Sequence, residues 1–286
     1  MISVIIPAHN EEAVIGRCLS ALLHGAAPGE LEVIVACNGC SDRTAERARA
    51  FGPPVWVIEL EEASKVAALN AGDRAATGYP RFYVDADVVL PLSSVRAVAG
   101  ALQRTGHLLA SPVPVTHTSQ SSRAVRAFYA VWLRLPYNQV MVGTGVYALS
   151  ERGRKRFAEF PTVIADDGFV RSRFRPEERI AVAEATVNVI APKTLGDLIR
   201  VKTRTRVGGY QLAARYPQPA GADPKRPAAI ARSLPWGLTL PWQLAVYLWV
   251  NVVTRARARR RLHTDKLTWD RDETSRARNH DDPHRT

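Results

Sequence analysis

The sequence predicts an α/β protein with a mostly parallel central sheet, helices on both of its faces and a helical C-terminal extension. Three observations carry this. Short apolar runs alternate with stretches of helical period from Ile2 to Val84. Polar clusters follow three of those runs, as expected where ligands gather beyond the carboxyl ends of parallel strands. Finally, 286 residues at 46% hydrophobic content supply ample core for one main domain plus an appendage.

Taken in order, Ile2–Ile6 reads as a buried strand and Glu11–Leu23 as an amphipathic helix. Leu31–Val35 is a second strand, and a helix runs from Ser41, its expected N-cap, to Phe51. Val55–Glu59, Ser64–Ala76 and Arg81–Val84 complete a βαβαβαβ series, which builds a parallel sheet through right-handed crossovers. His9-Asn10-Glu11-Glu12, Asn38-Gly39-Cys40-Ser41-Asp42 and Asp85-Ala86-Asp87 then share one rim.

Beyond Val84 the pattern loosens into what reads as a second lobe. Helices are expected over Leu92–Gln103, Ser122–Leu133 and Ser150–Phe160, with a short strand opening at Gly143-Thr144-Gly145. Asp166-Asp167 opens another helix, strands lie near Ile180–Val182 and Thr186–Ile190, and Leu195–Ala214 is a long basic helix. The expected domain spans 1–214, divided into 1–104 and 105–214, followed by a Pro-rich linker over 215–233.

Residues 234–262 form an apolar then basic segment, and the charged tail 263–286 reads as disordered. Leu234–Val253 has no charged residue and three tryptophans, and RARARRR (Arg255–Arg261) follows at once. A single span with that basic run inside would put the N-terminal domain outside, away from nucleotides. A segment lying on the membrane surface, arginines on anionic headgroups, fits better; the competing expectation is a helix packed on the domain with a solvated basic end.

Charge is unevenly placed: residues 1–100 carry a net −4 and residues 101–286 a net +16. A basic surface attracts nucleic acid, phosphorylated substrates or anionic lipid without choosing among them. RARARRR lacks the interleaved aromatic platform of single-strand binders, which argues against nucleic acid. Cys37 and Cys40 make a lone CxxC, too little for a four-thiolate zinc site, and the three cysteines imply no disulfide framework. The N-terminus has no signal-peptide pattern.

Asp85 and Asp87 offer paired hard oxygens just after a strand, a donor set suited to Mg2+ or Mn2+ shared with substrate phosphates. In its motif order the chain resembles the inverting family 2 glycosyltransferases, which have the GT-A (Rossmann-like) fold. SVIIPAHNEE resembles that family's first strand and nucleotide turn, EVIVACNGCSDRT its second, SKVAALNAG its lysine-to-asparagine segment, and DADVVL its DxD. GTGVYALS resembles the acceptor-side glycine loop, ADDGFV the acidic pair that supplies the base, and VKTRTRVGG the arginine motif near the leaving group. The resemblance covers about residues 1–210.

It implies that Asp87 ligates the cation, with Asp85 completing the site or holding the ribose. Pro7, His9, Glu11, Asn38, Lys65, Asp85, Arg204 and Arg206 would bind the nucleotide sugar, and Gly143, Thr144 and Gly145 would face the acceptor. Asp167 would be the general base and Asp166 its neighbour that orients it or touches the acceptor. Two departures stand out: Cys37-Asn38 replaces the family's acidic pair, which leaves the base open with uridine as default, and Val207 replaces its tryptophan.

The expected reaction is metal-dependent inverting transfer from a nucleoside-diphosphate sugar, UDP-linked by default, to a sugar, lipid-linked or small-molecule acceptor. It suits an enzyme of cell-envelope, exopolysaccharide or glycolipid synthesis, cytoplasmic and peripheral at the inner membrane face. Transfer to a soluble metabolite, or a non-catalytic nucleotide-sugar scaffold, are the alternatives. A sugar-phosphate nucleotidyltransferase would need a Gly-rich N-terminal loop where PAHNEE supplies acids.

Overall fold

Strands buried on both faces read as continuous apolar runs, and Ile2–Ala8 (β1) and Leu31–Asn38 (β2) are buried along nearly their whole length. The computed structural model describes residues 1–135, 144–216 and 240–262. Beside these two strands stand Val55–Leu60 (β3), Arg81–Val84 (β4), Leu109–His117 (β5), Val146–Leu149 (β6) and Arg179–Ile190 (β7). All join one seven-stranded sheet in the order β3-β2-β1-β4-β6-β5-β7. β1 to β4 run parallel, β6 is antiparallel to both β4 and β5, and β7 is parallel to β5.

Alternation along β1 sends Val4 and Ile6 to one face and Ile5 to the other. On the first face lie Ile15–Leu23 (α1), Thr44–Arg49 (α2) and Leu92–Thr105 (α4), which bury Ile15, Leu19, Leu22, Ala45, Ala48, Val95 and Val98 against it. On the second lie Lys65–Ala75 (α3), Glu151–Arg154 (α6), Asp166–Ser172 (α7) and part of Leu195–Arg215 (α8); Leu69, Phe169, Val170 and Leu212 close over Tyr83 and Tyr147 there. Each large side chain so buried contributes ~1.5–3 kcal/mol. The remaining helices, Arg123–Trp132 (α5) and Leu240–Leu262 (α9), pack with α8 around Phe128, Leu198, Val246 and Val250.

Four expectations change. The second lobe is a continuation of the same sheet, through β6, β5 and β7. β5 was not among the expected strands; it carries Pro112 and Pro114, and β6 pairs it only at Leu109 and Ala110, so both prolines lie where that side of β5 has no ladder to complete. The two strands expected near residues 180 and 190 are the single β7, whose register against β5 jumps from Val182 to Thr186 opposite Pro112 and Val113. The basic helix expected over Ser150–Phe160 is only α6, capped by Ser150 Oγ accepting from Gly153 N at 3.1 Å. The linker from Pro217 onward, residues 234–239, the tail from 263 and Gly143 lie outside the described residues.

The apolar and basic parts of the C-terminal segment form one helix, α9. Val246, Val250, Thr254 and Ala258, four residues apart, are its buried stripe against α5 and α8. Trp242, Leu248, Trp249 and Val252 are exposed, each by half or more of their area. Among the described residues no helix is long and apolar enough to cross a membrane.

Candidate active site

Between β1 and β4 the strand order reverses: β2 and β3 extend the sheet on one side, β4 begins the other. In open α/β sheets the crevice at such a switch point is where ligands bind, and all three polar clusters sit at its rim. The turns after β1 and β2 are stitched together. His9 Nδ1 donates to the Asn38 carbonyl, Asn38 Nδ2 donates to Ala8 O at 2.8 Å, and Ser41 N donates to Asn10 Oδ1 at 2.7 Å. Asn10 adopts φ 52°, a left-handed conformation asparagine tolerates.

Arg43, not Ser41, stands at the N-cap of α2, and just before it Asp42 Oδ1 accepts from Thr44 N at 3.0 Å. Thr44 Oγ1 in turn accepts from Glu11 N at 2.7 Å. Pro7, Glu11 and Asn38 are buried and His9 half-buried. Asn38 therefore acts in this turn through the backbone of β1, bracing the site where a nucleoside contact was expected. Burial, and after it the neighbouring Cys40, pushes the Cys37 thiol up to about 12, which makes it inert.

Asp85 follows β4 directly, its N–H donating to Gly145 O at 2.8 Å, and Val88 N closes a turn back to Asp85 O at 3.0 Å. Ala86 is buried between the two half-exposed acids. Gly145 has φ 80°, and a Cβ there would stand 2.8 Å from Val88 Cγ2 and 3.3 Å from Asp85 Oδ2, so only glycine brings β6 this close.

Lys65, the first residue of α3 behind the Ser64 cap, lies 2.7 Å from Asp85 Oδ1 and 3.1 Å from Asp166 Oδ1. Burial alone would lower its pKa; Asp166 and Asp85 outweigh that and raise it, so the ammonium stays charged. Asp166 is buried and Asp167 half-buried, with Asp167 Oδ1 accepting from Gly168 N at 2.7 Å. Burial first, then the Asp166 charge, pushes the Asp167 carboxyl up to about 6. A base poised near neutrality is what proton abstraction requires. Gly208 of α8 lets this turn sit close, since a Cβ on it would lie 3.0 Å from Ala165 Cβ.

The donor set at Asp85 and Asp87 fits a hard divalent cation. Both are carboxylates, and the Asp85 side chain is 40% exposed to the cleft while its Oδ1 is taken by Lys65. Among the described residues no three His, Cys, Asp or Glu side chains converge on one point. A cation here would complete its shell with water and phosphate oxygens, as Mg2+ and Mn2+ do.

Arg206 was expected at the leaving group, but its Nε donates to Thr254 Oγ1 at 2.8 Å and its Nη2 to Asn251 Oδ1, so it fastens α9 onto α8. One turn earlier on α8, the Lys202 ammonium lies over the rings of Phe128, Tyr129 and Trp132, 3.9 Å from the Trp132 ring centre. Burial, then Arg206, brings its pKa down to about 7.

One group escaped sequence reasoning. Buried Asp73 accepts from Arg81 at 2.8 Å, Arg154 at 2.6 Å and Tyr83 Oη at 2.6 Å, locking α3, β4 and α6 together. Its signal was an acid four residues after Leu69 on the inner face of α3.

The family model for glycosyl transferase family 2 matches residues 3–159, more than half of the chain. The protein belongs to glycosyl transferase family 2. Curated relatives include glycosyltransferase AglE of Haloferax volcanii, 36% identical over 91 residues, and the probable glycosyltransferase YdaM of Bacillus subtilis, 35% identical over 94. Each match takes in 30% of this chain, and they cover only 30% and 22% of those relatives' lengths.

This family 2 chain also has structural neighbours. One is the Pyrobaculum calidifontis mannosyltransferase PcManGT in complex with GDP-mannose and Mn2+, with TM-score 0.61 and 21% identity over 93% of this chain and 76% of that one. Another is Mycobacterium tuberculosis glucosyl-3-phosphoglycerate synthase with Mn2+, UDP and glucosyl-3-phosphoglycerate, with TM-score 0.55 and 22% identity over 75% and 79%. At these identities the likeness establishes a GT-A fold.

Proposed function

We propose that this family 2 chain transfers a sugar from a nucleoside-diphosphate sugar to an acceptor hydroxyl with inversion at the anomeric carbon. The observation that carries the reading is the ion-pair chain Asp85–Lys65–Asp166, which joins the acids after β4 to the acids opening α7. One set of acids serves the diphosphate and the other the acceptor; in-line displacement needs both in one crevice.

Asp167 takes the proton of the acceptor hydroxyl as its oxygen attacks, and Asp166 holds the turn in place through Lys65. Lys65 and Arg204 supply positive charge beside the diphosphate. Glu11, His9 and Pro7 line the nucleoside end, with Asn38 bracing it, while Thr144 and Gly145 border the acceptor. Asp87 and Asp85 would hold a Mn2+ or Mg2+ ion, which would supply charge stabilisation to the departing diphosphate. Neighbours solved with Mn2+ and GDP-mannose or UDP support this class of donor.

The exposed Trp242, Leu248, Trp249 and Val252 beside the basic end of α9 support a peripheral place on an anionic membrane, on the cytoplasmic side where nucleotide sugars are made. Such a place suits a lipid-linked or cell-envelope acceptor. Thermal shift against UDP-, GDP- and dTDP-sugars, each with and without Mn2+, tests the core reading: metal-dependent stabilisation by one nucleotide class supports it, and no stabilisation by any of them overturns it.

A further inference from the structure

Where α5, α8 and α9 meet, cations gather without acids to balance them. α5 and α9 carry no acidic residue, and the one on α8, Asp197, is held by Arg200 at 2.6 Å and by Thr194 Oγ1 at 2.6 Å. Half-buried Lys202 sets its ammonium over the rings of Phe128, Tyr129 and Trp132, and no carboxylate pairs with it among the described residues. Cation–π contact offsets part of the cost of burying that charge, but it offers no acceptor to the three N–H donors.

Arg206 stands one turn further along the same face of α8. Its Nε and Nη2 are taken by Thr254 Oγ1 and Asn251 Oδ1, neutral acceptors that leave its charge uncompensated. Arg255 follows Thr254 directly, is exposed, and makes no ion pair among the described residues. Three positive groups thus line one seam between α8 and α9; burial, followed by the Arg255 charge, holds the Arg206 guanidinium below its ordinary value. The seam is turned away from the crevice. Gly208, which abuts Ala165 of the acidic turn, lies about 200° around α8 from Arg206.

We propose that this seam binds the phosphate headgroup of a membrane lipid, with Lys202 and Arg255 supplying the free donors and Arg206 the charge between them. The inference deepens the membrane reading of α9 and is independent of sugar transfer. Uncompensated charge selects an anion, and an ammonium beside a guanidinium suits a group with several peripheral oxygens. What makes the anion a lipid's is the apolar face that runs into it. Leu248, Val252 and Arg255 succeed one another at the spacing of a single helix face; Leu248 and Val252 are 59% and 64% exposed, with Trp249 beside them at 50%. Such side chains enter the acyl boundary while the cations stay at headgroup level.

The test is co-sedimentation of the full chain with phosphatidylcholine vesicles made equally negative by phosphatidic acid or by cholesteryl hemisuccinate, a carboxylate. The quantity read is the ratio of the two affinities, from which unspecific attraction cancels. Wild type is expected to favour phosphatidic acid, and Lys202→Met and Arg255→Gln are each expected to cut that ratio roughly tenfold. Melting temperature should be unchanged in Arg255→Gln, an exposed site, and unchanged or higher in Lys202→Met, which removes an uncompensated charge. No preference in wild type, or a preference that either substitution leaves unaltered, overturns the headgroup site while membrane docking stands. Calorimetry with inorganic phosphate separates the sources: Lys202-dependent binding of the free ion without any vesicle preference overturns the lipid. Wild-type protein that sediments with neither vesicle overturns the site and the membrane reading together, and leaves the transferase reading intact.

Discussion

Lys65 of α3 lies 3.1 Å from Asp166 of α7, and the same ammonium reaches Asp85 at 2.7 Å. Residues far apart in the chain are thereby fixed across one crevice by a single cation whose side chain is 20% exposed. Removing one partner of a buried pair leaves the other charge uncompensated, at ~3–5 kcal/mol; the 40% exposure of the Asp85 side chain reduces that here. Lys65→Met should lose roughly 2–3 kcal/mol in urea denaturation. Adding Asp166→Asn should recover part of the loss, and a strictly additive double mutant would show that the pair is not coupled.

Asp167→Asn should separate stability from function. A carboxyl raised from 3.8 to about 6 stabilises the fold only while protonated: the contribution is full below pH ~4 and lost as pH rises through about 6. The neutral amide escapes that loss. The variant should gain ~1–2 kcal/mol at pH 7, with a flatter dependence of melting temperature on pH between 4 and 7, while transfer falls by ~10^2–10^4-fold.

The same ionisation sets the acidic limb of catalysis. In the wild type kcat/KM should rise through pH ~6, since only the ionised Asp167 accepts a proton. A profile flat from pH 5 to 8 would argue for a different base.

Gly145→Ala should damage the site from behind. The new methyl meets Val88 at 2.8 Å and Asp85 at 3.3 Å, at a φ of 80° that alanine resists. A loss of ~1–3 kcal/mol should accompany weaker Mn2+-dependent nucleotide binding, because Asp85 hangs from the Gly145 carbonyl. Unchanged binding together with the stability loss would limit Gly145 to packing.

Much of this was legible in the sequence because it is periodic or local. The apolar runs of β1 to β4 fix a parallel series, and with it the shared rim of Glu11, Asn38 and Asp85. Long-range choices were not legible. Pro112 and Pro114 hid β5 because their tolerance depends on β6 ending its pairing at Ala110. Arg206 read as a phosphate ligand because its real partners, Asn251 and Thr254, belong to a helix that sequence alone does not dock.

Membrane docking through α9 predicts that Trp242→Ala with Trp249→Ala lowers co-sedimentation with anionic vesicles several-fold and leaves thermal stability nearly unchanged, both side chains being at least half exposed. Equal partitioning of variant and wild type would sink the membrane claim.

The most direct test is the anomeric outcome, followed by NMR with the nucleotide sugar that stabilises the protein, in Mn2+, for wild type and Asp167→Asn. The account predicts a wild-type product of inverted configuration, together with release of the nucleoside diphosphate. It predicts an Asp167→Asn protein that binds donor within a few-fold of wild type yet turns over at no more than about one hundredth of its rate. A product of retained configuration, or an Asp167→Asn enzyme working at the wild-type rate, would contradict it.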